Sequence, residues 1–375
     1  MKNLSSFCLA FFALFTILNP PIFALKSCVF PAIFNFGDSN SDTGGLMAAF
    51  PPLNSPYGET FFHMPAGRFS DGRLIIDFVA KCLNLSFLSA YLDSLGANYT
   101  VGANFATAAS TITFPTTIIT ANNGFSPFFF LVQYRQFVQF KGRSQLIRNQ
   151  GKHYEYFQKA LYTFDIGHND LGTGFFGNMS FEELDASVPN IVNTFLTNVK
   201  SIYNLRARSF WIHNTGPVGC LGYILATFPS AEKDSAGCAK SYNEVAQYFN
   251  RDLKETVLQL RKDLPSAAFT YVDVYSVKYS LFSEPQKHGF ELPHVACCGY
   301  GGLYNYSSSA GCGATITVNG TQITVGSCDD PSVRVIWDGI HYTEAANKFV
   351  FERISTGAFS DPPVPLNLAC HRNLG

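Results

Sequence analysis

A serine that follows an apolar run lies where a nucleophile could act. The run at residues 29–36 ends at Gly37, and Ser39 follows among polar and glycine residues. This pattern indicates a buried strand that ends in a tight turn, and ligands of open α/β sheets bind just beyond the carboxyl ends of strands. A serine at that place can be a nucleophile if a base reaches its hydroxyl. Because Asp, Ser and Gly are also ordinary turn residues, a plain strand-to-loop turn is the alternative.

A base with its own carboxylate occurs near the other end of the chain. Asp338 and His341 lie three residues apart, just before a predicted helix at 343–353. A turn there would let the carboxylate reach the imidazole ring, fix its tautomer and stabilise the imidazolium that forms during proton transfer. The alternative is an aspartate that caps the helix, followed by a partly buried histidine.

Two more segments end predicted strands and carry groups that an oxyanion would need. Asn169 follows the third predicted strand, and its side-chain amide could donate to an oxyanion. An Asx-turn is the alternative role for this residue. The segment at 102–110 follows the second strand, and its small residues allow the backbone to approach a ligand closely.

Strand-like and helix-like stretches alternate along the chain. The predicted strands are 32–36, 101–106, 160–166, 208–213 and 267–275. The predicted helices are 74–83, 128–148, 180–205, 234–262 and 343–353. Such alternation predicts an α/β fold with a parallel sheet that helices cover on both faces. Residues 284–332 lack helical periodicity, so we expect a disulfide-braced insertion within a single domain at 25–375.

The amino terminus predicts the export of the chain. Lys2 precedes an apolar stretch at 7–18, and small and turn residues continue to Ala24, which is the pattern of a signal peptide at 1–24. A membrane anchor, the alternative, needs roughly 20 apolar residues, and Asn19 with two prolines cuts this stretch short. We therefore expect no stable membrane insertion and a secreted protein of the apoplast or cell wall, with the vacuole as the other destination.

The charge composition excludes some partners and agrees with export. Charged residues are only 14% of the chain and the formal net charge is −1, so a nucleic-acid partner is not expected. A surface so poor in charge needs another source of solubility, and N-linked glycans would supply it. Five acceptor sequons begin at the following asparagines: Asn84, Asn98, Asn178, Asn305 and Asn319.

Nine of the ten cysteines remain once Cys8 leaves with the signal peptide. Four of them crowd a glycine-rich segment that they are expected to brace: Cys297, Cys298, Cys312 and Cys328. Cys220 and Cys238 could close a second loop, and the odd count leaves at least one thiol free or paired with another chain. The spacings match no zinc pattern, so neither a metal nor a cofactor is predicted.

Taken together, these segments resemble one family. The segments at 36–39, 167–170 and 338–341, with those at 67–73 and 102–110, resemble the plant GDSL esterase/lipase family of the SGNH hydrolase superfamily. Within that family, the chain is similar to early-nodulin-like esterases. Each segment alone is weak evidence, but their order over essentially the whole mature chain is specific.

The resemblance implies a role for each candidate residue. Ser39 would be the nucleophile, His341 the base and Asp338 the carboxylate that orients it. The oxyanion hole would consist of the backbone N–H groups of Ser39 and Ala108 and the side-chain amide of Asn169. The implied fold is a three-layer, flavodoxin-like sandwich with about five parallel strands.

One departure from the family pattern affects the oxyanion hole. Many relatives have a glycine where this chain has Ala108 and Ala109. A backbone donor needs no particular side chain, so activity can survive, but the identity of the donor is left open. Asp38 and His168 are interpreted as structural residues.

The leading functional hypothesis is a secreted serine esterase that acts on O-acyl, short-acyl esters of plant metabolites or glycans. An acyltransferase would use the same acyl-enzyme with a sugar or alcohol acceptor. A glycosidase would need two carboxylates about 5–10 Å apart, and Asp38 with Asp338 is the pair available. A non-catalytic glycoprotein is the fourth hypothesis. The sequence does not determine the oligomeric state.

Overall fold

The computed structural model describes residues 27–115, 127–146 and 150–372, together with two short strands at 120–121 and 124–125. The predicted signal peptide at 1–24 lies outside the described residues. Among the residues described, no helix has both the length and the apolar character needed to cross a bilayer.

The architecture is built on a six-stranded central sheet. In chain order the strands are β1 Ile33–Gly37, β2 Gly102–Asn104, β3 Thr120–Ala121, β4 Gly124–Phe125, β5 Leu161–Asp165, β6 Ser209–His213, β7 Ala268–Val272, β8 Thr315–Val318, β9 Thr321–Thr324 and β10 Ser360–Asp361. The central sheet has the order β10–β7–β6–β5–β1–β2, and the pairs β3–β4 and β8–β9 form two separate hairpins. Strands β2, β1, β5, β6 and β7 are parallel, whereas the two-residue strand β10 is antiparallel.

Helices cover this sheet. They are α1 Gly45–Ala49, α2 Ile75–Cys82, α3 Phe130–Gln145, α4 Gln150–Lys159, α5 His168–Phe176, α6 Phe181–Asn204, α7 Gly222–Thr227, α8 Lys240–Asp263, α9 Val274–Ser283 and α10 Glu344–Ile354. The α/β sandwich with about five parallel strands is therefore confirmed. Helix α6 begins at a capping box, because the Ser180 hydroxyl accepts the Glu183 N–H and the Glu183 carboxylate accepts the Ser180 N–H.

Phenylalanine fills the layer between the sheet and α3. Phe34 and Phe36 lie two residues apart on β1, so they point to the same face, and both are fully buried. The Phe137 ring of α3 contacts both, with ring centroids 5.2 Å and 5.7 Å away. All five residues of β1 are buried, as expected for a parallel strand covered on both faces.

One predicted strand was too long. Strand β7 ends at Val272, and α9 begins where the prediction still continued the strand to Tyr275. Asp273 caps this helix by accepting the Ser276 N–H at 3.0 Å. A short apolar run cannot distinguish a buried strand from the start of a buried helix, so the boundary was not visible in the pattern.

The disulfides agree with the expected bracing. Four bonds join Cys28 to Cys370, Cys220 to Cys238, Cys297 to Cys328 and Cys298 to Cys312. The first of these was not predicted, because its cysteines are 342 residues apart in the sequence. Within the described part of the chain, the exposed Cys82 is the one free thiol, as the odd count required.

Candidate active site

The sheet order brings three of the predicted segments to one edge. Strand β1 lies between β2 and β5, and all three strands run parallel. Asn35 pairs in register with Asn104, and Gly37 pairs with Asp165. The residues that follow each strand therefore emerge at the same carboxyl edge, which is where ligands bind in such sheets.

The turn that carries Ser39 is held by buried hydrogen bonds. The Gly37 N–H donates to the Gln133 side-chain oxygen at 3.0 Å, and the Gln133 amide donates to the Gly37 carbonyl at 2.7 Å. Asp38 accepts the Asn40 N–H at 2.9 Å on the other side of Ser39. Ser39 itself is 8% exposed. Sequence analysis gave Gln133 no role, although a glutamine within an apolar helix stretch indicates a buried polar contact.

Asp38 belongs to a buried group of charged side chains. Burial, followed by the charge of Asp165, raises the pKa of Asp38 to about 7, and the Lys278 ammonium opposes this shift. Burial would also raise the pKa of Asp165, but the hydrogen bond and charge of His213 outweigh it and lower that pKa. The Asp38 carboxyl is therefore buried and belongs to this group.

Asp338 and His341 form a hydrogen-bonded pair. The Nδ1 atom of His341 lies 2.7 Å from Oδ2 of Asp338, and Oδ1 of the same carboxylate accepts the N–H groups of Ile340 and His341 at 3.0 Å and 2.8 Å. Burial alone would raise the pKa of Asp338, but the charge and hydrogen bonds of His341 outweigh it and hold that pKa below its ordinary value. Because Nδ1 donates to the carboxylate, Nε2 is the nitrogen left to accept a proton.

The same turn has two tyrosine neighbours. The Tyr57 hydroxyl donates to Oδ2 of Asp338 at 2.8 Å. Gly339 has a φ of 92°, and a Cβ at this position would lie 2.3 Å from a carbon of the Tyr306 ring, so only glycine fits. Sequence analysis missed Tyr57, because it lies 281 residues from Asp338 and no local pattern connects the two.

His168 connects this turn to α5. Its Nε2 lies 2.9 Å from the Tyr223 hydroxyl, and the Tyr223 N–H donates to the Gly339 carbonyl at 3.0 Å. Burial, followed by the positive charges of His341 and Lys278, lowers the pKa of His168 to about 3. The His168 ring is therefore neutral at ordinary pH and suits a structural contact better than proton transfer.

Asn169 lies in the first turn of α5 and contacts the segment after β2. Its side-chain amide donates to the Ser110 carbonyl at 2.9 Å. An amide nitrogen carries two hydrogens, so this bond leaves one for another acceptor. The contact joins the segment after the third predicted strand to the segment after the second, although Asn169 and Ser110 are 59 residues apart in the sequence.

The backbone of Ala108 is not placed as expected. Its N–H donates to Oδ2 of the buried Asp42 at 2.8 Å, so it is not available to an oxyanion. The next residue, Ala109, has a φ of 60°, in the left-handed region that residues with a Cβ rarely adopt. Many relatives have a glycine at this place in the chain, and the backbone conformation of Ala109 is one that glycine adopts more easily.

The five sequons differ in accessibility. The asparagines at four of them are exposed: Asn84, Asn98, Asn178 and Asn319. Asn305 is half-buried, and its side-chain nitrogen donates to the Ala296 carbonyl at 2.9 Å. That nitrogen is the atom a glycan would be attached to, so Asn305 is the least suited of the five.

A metal ion needs a cluster of side chains that can bind it. Within the described residues, no cluster of three or more His, Cys, Asp or Glu side chains is placed to hold a metal ion. The arrangement offers instead a hydroxyl, an imidazole paired with a carboxylate, and amide donors. Such a set can transfer a proton and stabilise a negative oxygen.

Comparisons with known proteins agree with this chemistry. Residues 33–354 match the model of the GDSL-like lipase/acylhydrolase family. An esterase of Hevea brasiliensis is 67% identical over 93% of this chain and 91% of its own length. The GDSL esterase/lipase ENOD8 of Medicago truncatula is 60% identical over 95% and 94%, and alpha-L-fucosidase 3 of Arabidopsis thaliana is 49% identical over 96% and 97%. The chain belongs to the plant GDSL esterase/lipase family and is a carboxylic-ester hydrolase.

Proposed function

We propose that this chain is a secreted serine esterase that hydrolyses short O-acyl esters of plant metabolites or glycans through an acyl-enzyme on Ser39. The observation that carries the proposal is the 2.7 Å contact between His341 Nδ1 and Asp338, which leaves Nε2 as a base. Ser39 follows strand β1, and the ends of the neighbouring strands β2 and β5 flank it. These features support Ser39 as the nucleophile, His341 as the base and Asp338 as the orienting carboxylate.

The proposed reaction has two halves. His341 Nε2 removes the Ser39 proton as Oγ attacks the ester carbonyl carbon, and the imidazolium then protonates the departing alcohol. Water, deprotonated by the same imidazole, attacks the acyl carbon; the bond to Ser39 Oγ breaks, the imidazolium returns the proton to Oγ, and the acid is released. Asp338 stays ionised throughout and stabilises the imidazolium, in agreement with its lowered pKa.

The negative oxygen of the tetrahedral intermediate needs donors. We assign them to the Ser39 N–H, the second amide hydrogen of Asn169 and the Ala109 N–H. Ala109 replaces Ala108 in this assignment, because the Ala108 N–H already donates to Asp42. Donors already aimed at the developing charge lower the barrier without reorganising during the reaction.

Secretion is supported by three independent features. The first 24 residues have the composition of a signal peptide. Four disulfides indicate folding in an oxidising compartment. The four exposed sequons are suited to glycans that would make this weakly charged surface soluble, and these glycans are part of the proposal.

A glycosidase is the second candidate, because a relative of 49% identity is named alpha-L-fucosidase 3. The pair of carboxylates nominated for that reaction is Asp38 and Asp338. Asp338 is bound to His341 and Tyr57, whereas Asp38 belongs to the buried group with Asp165 and Lys278. These separate contacts support the esterase over the glycosidase.

The test is fluorophosphonate labelling followed by a panel of p-nitrophenyl esters and glycosides. We expect the wild type to be labelled at Ser39 and to hydrolyse the acetate and butyrate but no glycoside. Glycoside turnover that survives Ser39→Ala and disappears in Asp38→Asn would favour the glycosidase. Addition of an alcohol acceptor to the ester assay distinguishes the acyltransferase by the transfer product it would form.

A further inference from the structure

We propose that Asp170 is a positioning residue that holds the loop at 109–113 and thereby keeps the oxyanion donors aimed. The inference rests on the proposed esterase mechanism and extends it to a side chain that would not touch the substrate. Asp170 directly follows Asn169 in the first turn of α5.

The Asp170 carboxylate binds the loop at three points. Oδ2 accepts the Ile112 N–H at 2.8 Å, and Oδ1 accepts both the N–H and the hydroxyl of Thr113, at 3.1 Å and 2.9 Å. Asp170 is 5% exposed, so water competes little for these bonds. Burial raises the pKa of Asp170 to about 6, and the three hydrogen bonds oppose that shift by stabilising the carboxylate.

Two successive side chains of α5 therefore hold one loop. Asn169 donates to the Ser110 carbonyl, and Asp170 accepts from Ile112 and Thr113. The residue just before these contacts is Ala109, whose φ of 60° is disfavoured for a side chain with a Cβ. Backbone in such a conformation persists where the surroundings fix it, and these contacts lie immediately beside it.

The donor set requires a carboxylate. All three partners of Asp170 donate a hydrogen, and only an ionised carboxyl accepts at both of its oxygens. An asparagine at this position would direct its NH₂ group towards at least one N–H of the loop. Asp170→Asn should therefore release part of the loop while it preserves the size of the side chain.

The chain contains a matched control for this substitution. Asp234 accepts the N–H groups of Ala236 and Cys238 at 2.9 Å and 3.0 Å and the Tyr279 hydroxyl at 2.8 Å. Its donors are thus also two backbone N–H groups and one hydroxyl. The two N–H groups belong to the loop closed by the Cys220–Cys238 disulfide, and Tyr279 lies in α9, so none of the three donors belongs to the proposed oxyanion hole.

The experiment compares Asp170→Asn with Asp234→Asn in hydrolysis of p-nitrophenyl acetate, in inhibition by a boronic acid and in melting temperature. Asp170→Asn should lower kcat about 10²-fold, with KM changed by no more than about twofold, since the lost stabilisation acts on the tetrahedral oxygen. Its affinity for the boronic acid, which forms a tetrahedral adduct on serine, should fall in parallel. Asp234→Asn should lower the melting temperature and leave kcat within about twofold of wild type. Equal kcat in wild type and Asp170→Asn, or an equal loss in both variants, would overturn the inference.

Variants at Thr113 keep the test decisive if Asp170→Asn does not fold. Thr113→Val removes one of the three donors and should lower kcat about fivefold, less than Asp170→Asn does, because both N–H bonds to the carboxylate remain. Thr113→Ser keeps the hydroxyl and should restore kcat. Equal kcat in these two variants would contradict the inference. A Ser39→Ala variant as active as wild type would instead contradict the esterase mechanism itself.

Discussion

The proposed site has two halves that are built in opposite ways. The base half consists of Asp338 and His341, which lie three residues apart and bond within one turn. The oxyanion half joins Ser110 to Asn169 across 59 residues of sequence. One half is formed by local backbone geometry and the other by the order of strands in the sheet, so we expect the two halves to differ in how substitutions affect them.

The difference also explains what the sequence could predict. The spacing of Asp338 and His341 predicted their contact, because a turn brings such residues together without any knowledge of the fold. An oxyanion donor was assigned to the Ala108 N–H from the sequence, but that N–H has a distant partner instead. Asp42, 66 residues from Ala108, takes its N–H, and no local pattern indicates that bond.

The fold was predictable to a similar extent. Alternating apolar stretches predicted the five parallel strands and the long helices, because both depend on periodicity. Helix α5, which carries Asn169, was missed. It is nine residues long, contains Gly172 and Gly174, and has no side-chain cap at Gly167. Glycines and a missing cap weaken each local indication of a helix, so tertiary packing determines this one.

The largest effect should come from the residue that both halves serve. Ser39→Ala should lower kcat for p-nitrophenyl acetate by on the order of 10³-fold or more, because no acyl-enzyme can form. The matched control is Ser41→Ala in the same turn, whose buried hydroxyl has no partner within the described residues. Ser41→Ala should keep near-normal turnover. Comparable rates for wild type and a folded Ser39→Ala variant would remove Ser39 from the mechanism.

The next effect tests the oxyanion half. Asn169→Ala should lower kcat by roughly 10²–10³-fold with little change in KM, because the amide is assigned to the negative oxygen of the intermediate. Its bond to Ser110 is one hydrogen bond, so the free energy of unfolding should fall by only about 1 kcal/mol. Calorimetry and kinetics on one preparation measure both. Normal turnover in a strongly destabilised variant would support an Asx-turn role and remove Asn169 from the oxyanion half of the site.

A smaller effect tests the base half. Tyr57→Phe removes the hydroxyl that donates to Asp338 at 2.8 Å and should lower kcat about tenfold, since bonds to charged groups contribute about 1.5–3 kcal/mol. The control is Tyr91→Phe, which should leave kcat unchanged. Tyr91 is a half-buried tyrosine on the far side of β2. If Tyr57→Phe has wild-type kcat, the His341 contact alone is sufficient to hold the carboxylate.

The smallest effect concerns His168, which lies between the two halves and is predicted to affect stability rather than the pH profile of activity. Burial lowers the folded-state pKa of His168 to about 3, below the ordinary value of 6.5. Between these values the unfolded chain binds a proton that the folded protein does not. The contribution of the neutral ring to stability is therefore fully present above about pH 6.5 and is lost as the pH falls towards 3. Per pH unit, one such proton changes the free energy of unfolding by at most about 1.4 kcal/mol.

His168→Gln removes this titration while glutamine can still bond to the Tyr223 hydroxyl. Denaturant unfolding at pH 7 and pH 4.5 should show that wild type loses more stability on acidification than the variant does. The acid limb of kcat/KM should stay where it is in wild type, because a ring that remains neutral above pH 4 cannot produce that limb. A limb that moved in His168→Gln would mean that His168 exchanges protons during turnover. The proton-transfer chemistry would then extend beyond the local turn at 338–341, and the division into a local base half and a long-range oxyanion half would no longer hold.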